Sequence, residues 1–233
     1  DVDFVPLVSA TPDAANSAAV VGPIVINEIM YHPRNEENPL EEDEYIELYN
    51  TSAVAAPLFD PANPGNTWQV SGIGDIFIPL GVSIPGNGFL ILTSANPEYF
   101  RDRYNVPGDV QIYQFSGGLT NSGETIDLLR PTAPEPGGVP YMLADHLSYT
   151  DAAPWPTLAD GDGASLSRFS ATQLGNEPDN WLPSTIGGTP GRTNTYYDTT
   201  PPSVPSNVSA AAAGPAQVDL AWTASIDAQS AVL

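Results

Sequence analysis

The amino-acid sequence predicts an all-β fold, a sandwich of short strands with one short connecting helix. Apolar residues make up 41% of the 233 residues and charged residues 15%, so the chain has enough apolar side chains to form a core. Gly and Pro number 20 and 25, the frequency expected when turns separate many short strands. Glu44–Asn50 alternates between apolar and polar residues, as a strand with one face in the core does.

The predicted strands follow one another through a central region, residues 24–194, with Gly, Pro or Asn between them. They are Ile24–Met30, Glu44–Asn50, Thr67–Val70, Asp75–Ile78, Gly88–Thr93, Gln111–Phe115, Glu124–Leu129, a stretch within Val139–Tyr149, and Ala164–Phe169. Short strands at this spacing are typical of a β-sandwich.

One segment, Asn96–Tyr104, has the signals of a helix. Asn96 suits the N-cap and Pro97 the first helical position. Arg101 and Arg103 suit the negative C-terminal end of the helix dipole. We therefore predict a short helix that connects two strands.

The segments on either side of the central region differ from it in composition. Residues 1–23 are polar and rich in Ala and Pro, which predicts a linker. However, Asp3–Pro6 is similar to Asn180–Pro183, and the similarity continues to Asn16 and Asn194. The segment is therefore either a linker or the end of an upstream copy in a tandem array.

After the central region, residues 195–204 predict a stiff Pro-rich linker. Residues 205–233 contain two further predicted strands, Val208–Ala211 and Gln217–Thr223. Two strands do not close a sandwich, so we expect a partial second β-sandwich whose other strands lie beyond Leu233.

The charge of the chain excludes two classes of partner. Its formal net charge is −22, from 28 acidic residues and six arginines, with no lysine. Nucleic acids and anionic membranes would be repelled by such a surface. No apolar run approaches the ~20 residues that span a bilayer, so membrane insertion is not expected.

Seven stretches together resemble one family. They are Ile26–Pro33, Glu44–Asn50, Leu119–Ile126, Pro154–Pro156, Asp160–Leu166, Asp179–Trp181 and Gly188–Gly191. In this order they resemble the bacterial lamin-tail domain, an immunoglobulin-like β-sandwich found in large secreted and surface proteins. The tail, with Pro201–Val208 and Val218–Trp222, resembles the start of a fibronectin type III domain.

The resemblance implies a setting and no reaction. Bacterial lamin-tail domains accompany nucleases, phosphatases and spore-coat-kinase-like domains as non-catalytic modules. We therefore expect an interaction or spacer module of a secreted or surface-attached multidomain protein, outside the cell or on its surface. A protein or polysaccharide partner is expected. The nuclear members' association with DNA is not carried over, because this chain has no basic patch.

Two acidic clusters are candidate calcium sites, since Ca²⁺ prefers several carboxylate and carbonyl oxygens. The first is the run from Glu36 to Glu44, which ends in Asp43 and Glu44; its alternative is a solvated loop. The second contains Asp160 and Asp162 in an Asp-Gly-Asp-Gly sequence; its alternative is a tight turn.

Catalytic motifs are missing from the sequence. His32 and His146 lack metal-ligand spacing, and no Gly-x-Ser-x-Gly stretch occurs. Glu28 and Glu47 fall on two predicted strands that the resemblance implies lie near one another, where a glycosidase could place its two acids; the alternative is a hydrated sheet face. We expect no enzyme and assign no catalytic residue.

Aromatic side chains offer the best candidate ligand surface. Tyr45 and Tyr49 share the face of their strand that we predict to point outward. Trp155 lies between two prolines and either joins this surface or closes one end of the core. Flat rings of this kind stack on sugars. The alternative function is therefore a calcium-assisted glycan-binding module.

Overall fold

The structure is a computed structural model that describes residues 21–34, 43–197, 203–215 and 217–224. The chain divides into two compact units, one up to Tyr197 and one from Asp198. Strands account for 45% of the structure and helix for 7%. The predicted all-β sandwich with one short helix is confirmed.

The first unit consists mainly of short strands. They are β1 (Ile24–Met30), β2 (Tyr45–Asn50), β3 (Ala56–Pro57), β4 (Phe59–Asp60), β5 (Asn63–Thr67), β6 (Gln69–Ser71), β7 (Ile76–Phe77), β8 (Ser83–Ile84), β9 (Phe89–Thr93), β10 (Gln111–Gln114), β11 (Gly123–Pro131), β12 (Tyr141–Thr150), β13 (Leu166–Arg168) and β14 (Trp181–Pro183). One α-helix, α1 (Pro97–Tyr104), and two 3₁₀ turns, Thr157–Ala159 and Pro178–Asn180, accompany them.

Two sheets form the sandwich. The first has six strands in the order β10-β9-β2-β1-β13-β14, and the second has four in the order β12-β11-β6-β7. The pairings within these sheets are antiparallel except β9 with β10, which is parallel. The short pairs β3-β8 and β4-β5 lie outside the two main sheets.

The main core lies between the sheets. Ile46 and Leu48 of β2 are fully buried in it, as the alternation of that strand predicted. Trp155 and Trp181 lie in the same core with ring centroids 6.3 Å apart. Burying such large apolar side chains is the dominant stabilising contribution to a sandwich of this size.

The short helix is confirmed where the sequence predicts it. Asn96 caps α1, because its side-chain oxygen accepts the Glu98 amide at 3.0 Å and the Tyr99 amide at 3.2 Å. Beyond the helix, Asn105 adopts a left-handed conformation with φ of 48°, which ends the helical turn. Phe100 is the buried residue of α1.

A second apolar cluster lies on the outer face of the six-stranded sheet, the face that points away from the four-stranded sheet. Its buried members are Met30, Tyr45, Ile91, Phe100, Val106 and Val110. The helix and the loop that follows it therefore form a third layer over this face.

The second unit, where it is described, is a hairpin of β15 (Ser206–Gly214) and β16 (Gln217–Thr223). The strand predicted at Gln217–Thr223 has the predicted bounds. Val218, Leu220 and Trp222 of β16 are all exposed, Trp222 by 59%. Residues 1–20, with the predicted upstream repeat, and much of the predicted linker lie outside the described residues.

Candidate functional site

A β-bulge brings two glutamates side by side on the outer face. β1 and β2 pair with Ile26 opposite Leu48, but the register then shifts so that Glu28 lies opposite Glu47. Without the shift, the two-residue period would put Glu28 on the same face as Ile26, inside the main core. The bulge at Asn27 turns Glu28 to the outer face instead.

The closing segment, Gly188–Gly191, covers this pair of glutamates. The Thr189 amide donates to Oε1 of Glu28 at 2.9 Å, and the Gly191 amide donates to Oε2 of Glu47. Both glutamates are 0% exposed. The backbone of one short segment therefore supplies a donor to each buried carboxyl group, as a buried polar group requires.

Side-chain donors complete the hydrogen bonding of the glutamates. The Ser165 and Ser167 hydroxyls both donate to Oε1 of Glu28. Asn27 Nδ2 donates to Oε1 of Glu47 at 2.7 Å. We call this set the acid network; it comprises Asn27, Glu28, Glu47, Ser165, Ser167, Thr189 and Gly191.

The acid network joins four of the sequence stretches on which the family resemblance depends, one of which is Asp160–Leu166 with Ser165. Asn27 and Glu28 belong to Ile26–Pro33, and Glu47 belongs to Glu44–Asn50. The closing segment is the last of those stretches, and Thr189 is 161 residues from its partner Glu28. The stretches therefore share one physical role, which is to close the outer face of the sheet.

Burial raises the pKa of both glutamates. Burial raises the pKa of Glu47 well above its usual value of 4.5, and the charge of Glu28 raises it further. Burial also raises the pKa of Glu28, against the donors from Ser165 and Thr189. More donors surround Glu28 than Glu47, and these hydrogen bonds oppose the effect of burial on the pKa of each glutamate.

Tyr45 is placed differently from the prediction. It shares the outer face with Glu47, as the alternation predicted, but it is 0% exposed, packed edge-on against Phe100 with ring centroids 5.4 Å apart. The hydroxyl of Tyr45 forms no hydrogen bond of normal geometry with the described residues. The predictions of an outward Tyr45 and of a hydrated face for Glu28 and Glu47 were wrong, because α1 and the closing segment cover that face.

Trp155 is likewise not part of a ligand surface. It is 6% exposed and belongs to the main core, so the alternative of a core residue is the correct one. Of the three predicted ligand residues, only Tyr49 reaches the surface, where it is half-buried and stacks on Phe89 with ring centroids 5.0 Å apart.

The candidate calcium ligands Asp43 and Glu44 have separate partners. Asp43 is buried and pairs with Nε of Arg103 at 2.5 Å. Glu44 turns the other way and accepts the Leu119 amide at 2.6 Å. The other acidic residues of this cluster, Glu36, Glu37, Glu41 and Glu42, lie outside the described residues.

The other candidate calcium ligands lie in an exposed turn. Asp160 pairs with Nδ1 of His32 at 2.6 Å, and Asp162 is exposed. Within the part of the chain that the structure describes, no three His, Asp or Glu side chains form a group that could hold a metal ion. Calcium binding at either cluster stays a prediction.

Sequence reasoning missed a buried ion pair next to the bulge. Arg168 of β13 donates to Oδ2 of Asp145 and, at 2.9 Å, to the carbonyl of Ile26. The same Oδ2 accepts the Ile26 amide at 2.8 Å. The signal in the sequence was Arg168 itself. The chain has six arginines and no lysine, and this arginine lies within β13, the strand that pairs with β1.

Comparison with family models, curated proteins and solved structures gave no match. Among the described residues, no helix has the length and apolar character needed to cross a membrane.

Proposed function

We propose that this chain carries a non-catalytic interaction or spacer module of the lamin-tail type, within a large secreted or surface-attached bacterial protein. The observation that carries the proposal is the acid network. Four motif stretches that carry the resemblance meet there and hold the closing segment against the sheet. A shared structural role is what a family of recurring, non-catalytic modules would keep in its sequence.

The geometry of the two glutamates supports a structural role over hydrolysis. A glycosidase presents its acid and its nucleophile or base to the substrate from opposite sides of a cleft. Here both acids are fully buried, and their oxygens accept hydrogen bonds from the closing segment and from neighbouring side chains. Substrate would reach them only after the closing segment had been removed.

A location outside the cell is supported by the charge of the chain. With a net charge of −22 and no lysine, the surface is strongly hydrated and repels other acidic surfaces. The chain has no cysteine, so its stability does not depend on the redox state of the compartment. The expected partners remain a protein or a polysaccharide.

Two measurements test the proposal. Antibody against the chain should label intact source cells or detect the protein in the medium; label that appears only after lysis contradicts an extracellular module. The full chain should also show no turnover of glycoside, phosphate-ester or peptide substrates from pH 4 to pH 9. Turnover that Glu47→Gln abolishes while the variant remains folded would instead show that the module is an enzyme.

The alternative function is a calcium-assisted glycan-binding module. Of its predicted aromatic ligand residues, Tyr49 is the one that reaches the surface. Its calcium component is tested by the melting temperature in millimolar calcium and in chelator. If Asp160 and Asp162 bind calcium, the melting temperature rises with calcium and rises less in an Asp160→Ala, Asp162→Ala variant. An unchanged melting curve contradicts calcium binding.

A further inference from the structure

We propose that a pocket at one end of the six-stranded sheet binds a single neutral sugar ring. The pocket has a volume of 240 Å³. Its lining residues are Pro85, Gly86, Asn87, Gly88, Phe89, Pro107, Asp109, Val110 and Gly191. This volume is below the roughly 300–1,000 Å³ of sites for drug-sized ligands, so it suits one ring of a longer chain.

One wall of the pocket is aromatic. Phe89 lines it and is stacked on Tyr49, with ring centroids 5.0 Å apart and an angle of 28° between the planes. Both rings are half-buried, so part of this aromatic surface faces solvent. The C–H faces of a sugar ring pack well on such a surface, because an aromatic face is apolar and carries partial negative charge.

Two polar side chains suited to sugar hydroxyls also line the pocket, one on each rim. Asn87 and Asp109 are both exposed and line the pocket. A carboxylate accepts hydrogen bonds from two neighbouring hydroxyls, and a carboxamide both donates and accepts. A few polar groups beside an apolar surface is the usual composition of a small-ligand site.

The turn at Pro85–Gly88 is held in place before any ligand binds. The carboxamide of Asn50, a fully buried residue at the end of β2, donates to the carbonyls of Ile84 and Pro85, both at 3.0 Å. Asn87 has a left-handed φ of 54°, and its amide donates to the Ser52 carbonyl at 2.9 Å. The side chain of Asn87 therefore projects from a backbone whose position is already fixed.

The opposite rim of the pocket, the loop that contains Pro107 and Val110, is fixed in a similar way. The guanidinium of Arg101 donates to the carbonyls of Val106, Pro107 and, at 2.7 Å, Val110. A side chain at Gly191 would lie 2.9 Å from Val106, so the closing segment packs tightly against this loop. Because both rims are ordered in advance, the entropic cost of forming the site on binding is reduced.

Charge selects a neutral ligand. Asp109 contributes a negative charge to the pocket wall, and the net charge of the chain is −22. Both disfavour uronic acids and other anionic sugars, while the Arg101 guanidinium behind the same rim offsets part of the charge of Asp109. The inference goes beyond the proposed module, which stands as a spacer even if the pocket binds nothing.

The test is a titration of the ¹⁵N-labelled full chain with methyl glycosides of glucose, galactose, mannose and N-acetylglucosamine, and with methyl glucuronide, all in chelator. At least one neutral glycoside should shift the amide signals of Asn87, Phe89 and Asp109. We expect Asp109→Ala and Phe89→Leu to weaken its binding by about tenfold, the loss expected for one charge-assisted hydrogen bond or one stacking contact.

Matched variants control for charge and for loss of an aromatic ring. Asp102→Ala removes an exposed acid of α1, and Phe77→Leu removes an exposed ring of β7; neither residue lines the pocket. Both should bind as the wild type does, and Phe89→Leu should keep the wild-type spectrum outside the pocket. Absence of any shift, shifts confined to another surface, or tighter binding of the glucuronide would each overturn the proposal.

Discussion

Glu28 and Glu47 lie directly opposite each other on two neighbouring antiparallel strands, and both are fully buried. Two carboxyl groups in this arrangement cannot both ionise without a large cost. The chain reduces that cost by directing the Thr189 and Gly191 amides at them. The acid network thereby couples the protonation of the pair to the position of the closing segment.

Glu47→Gln should change how stability depends on pH. The pKa of Glu47 is raised in the folded chain, so the folded state binds more protons than the unfolded state above about pH 4.5. The stability from the protonated carboxyl is fully present below that pH and is lost as pH rises through the raised pKa. Each unit of raised pKa corresponds to about 1.4 kcal/mol.

This pH-dependent loss of stability should be absent in the variant. The urea midpoint of the variant should therefore rise relative to that of the wild type between pH 5 and pH 8. At pH 5 the variant should be slightly less stable, because a glutamine amide cannot accept from both Asn27 and Gly191. Glu135→Gln, an exposed acid, is the control for net charge. Parallel pH profiles of Glu47→Gln and the wild type would show that Glu47 ionises normally.

Gly188→Ala should destabilise the fold far more than Gly187→Ala. Both glycines have positive φ, 75° and 93°, so both variants carry about 1–2 kcal/mol of backbone strain. At Gly188 the new Cβ would also lie 2.0 Å from the Tyr45 hydroxyl, whereas at Gly187 nothing lies within 4 Å. Overpacking adds about 1–3 kcal/mol, measurable by urea denaturation. Equal losses would mean that the closing segment does not pack on Tyr45.

Tyr45→Phe should leave the free energy of unfolding unchanged or raise it by up to about 1 kcal/mol. Its hydroxyl is buried and forms no hydrogen bond of normal geometry with the described residues, so the folded chain bears a desolvation cost that no such bond offsets. Tyr149→Phe is the matched control, since that hydroxyl donates to the Thr120 carbonyl at 2.9 Å. The control should lose about 1 kcal/mol in urea denaturation. A loss in Tyr45→Phe as large as in the control would show that the Tyr45 hydroxyl is bonded.

Asp145→Leu should destabilise the chain by about 3–5 kcal/mol, because it leaves the Arg168 guanidinium buried without its counter-charge. Adding Arg168→Met should recover part of this loss, since the unpaired charge is then gone. Recovery is incomplete because the Ile26 amide also loses its acceptor. Thermal or urea unfolding of the two variants measures both effects; a double variant no more stable than the single one would contradict a paired buried charge.

Local sequence signals predicted the elements well where one residue type decides the structure. Asn96 and Pro97 predicted the start of α1, and the alternation in Glu44–Asn50 predicted both β2 and the face of each of its side chains. These features depend on groups within a few residues of one another, which is the range over which capping and strand period act. The short strands β3, β4, β5, β8 and β14 were missed: β3, β4 and β8 have two residues each, and Pro or Gly within β3, β5 and β14 indicated turns.

The sequence by itself therefore determined the all-β class, the helix, the division of side chains between two faces and the motif stretches. Only the tertiary structure decided that the second face of β2 is covered, that a bulge turns Glu28 toward Glu47, and that Thr189 closes over them. The physical reason is that burial and pKa depend on contacts between residues more than a hundred positions apart, and no local pattern records which segment covers a strand. A polar, alternating strand therefore predicted a hydrated surface where the fold contains a closed acid network.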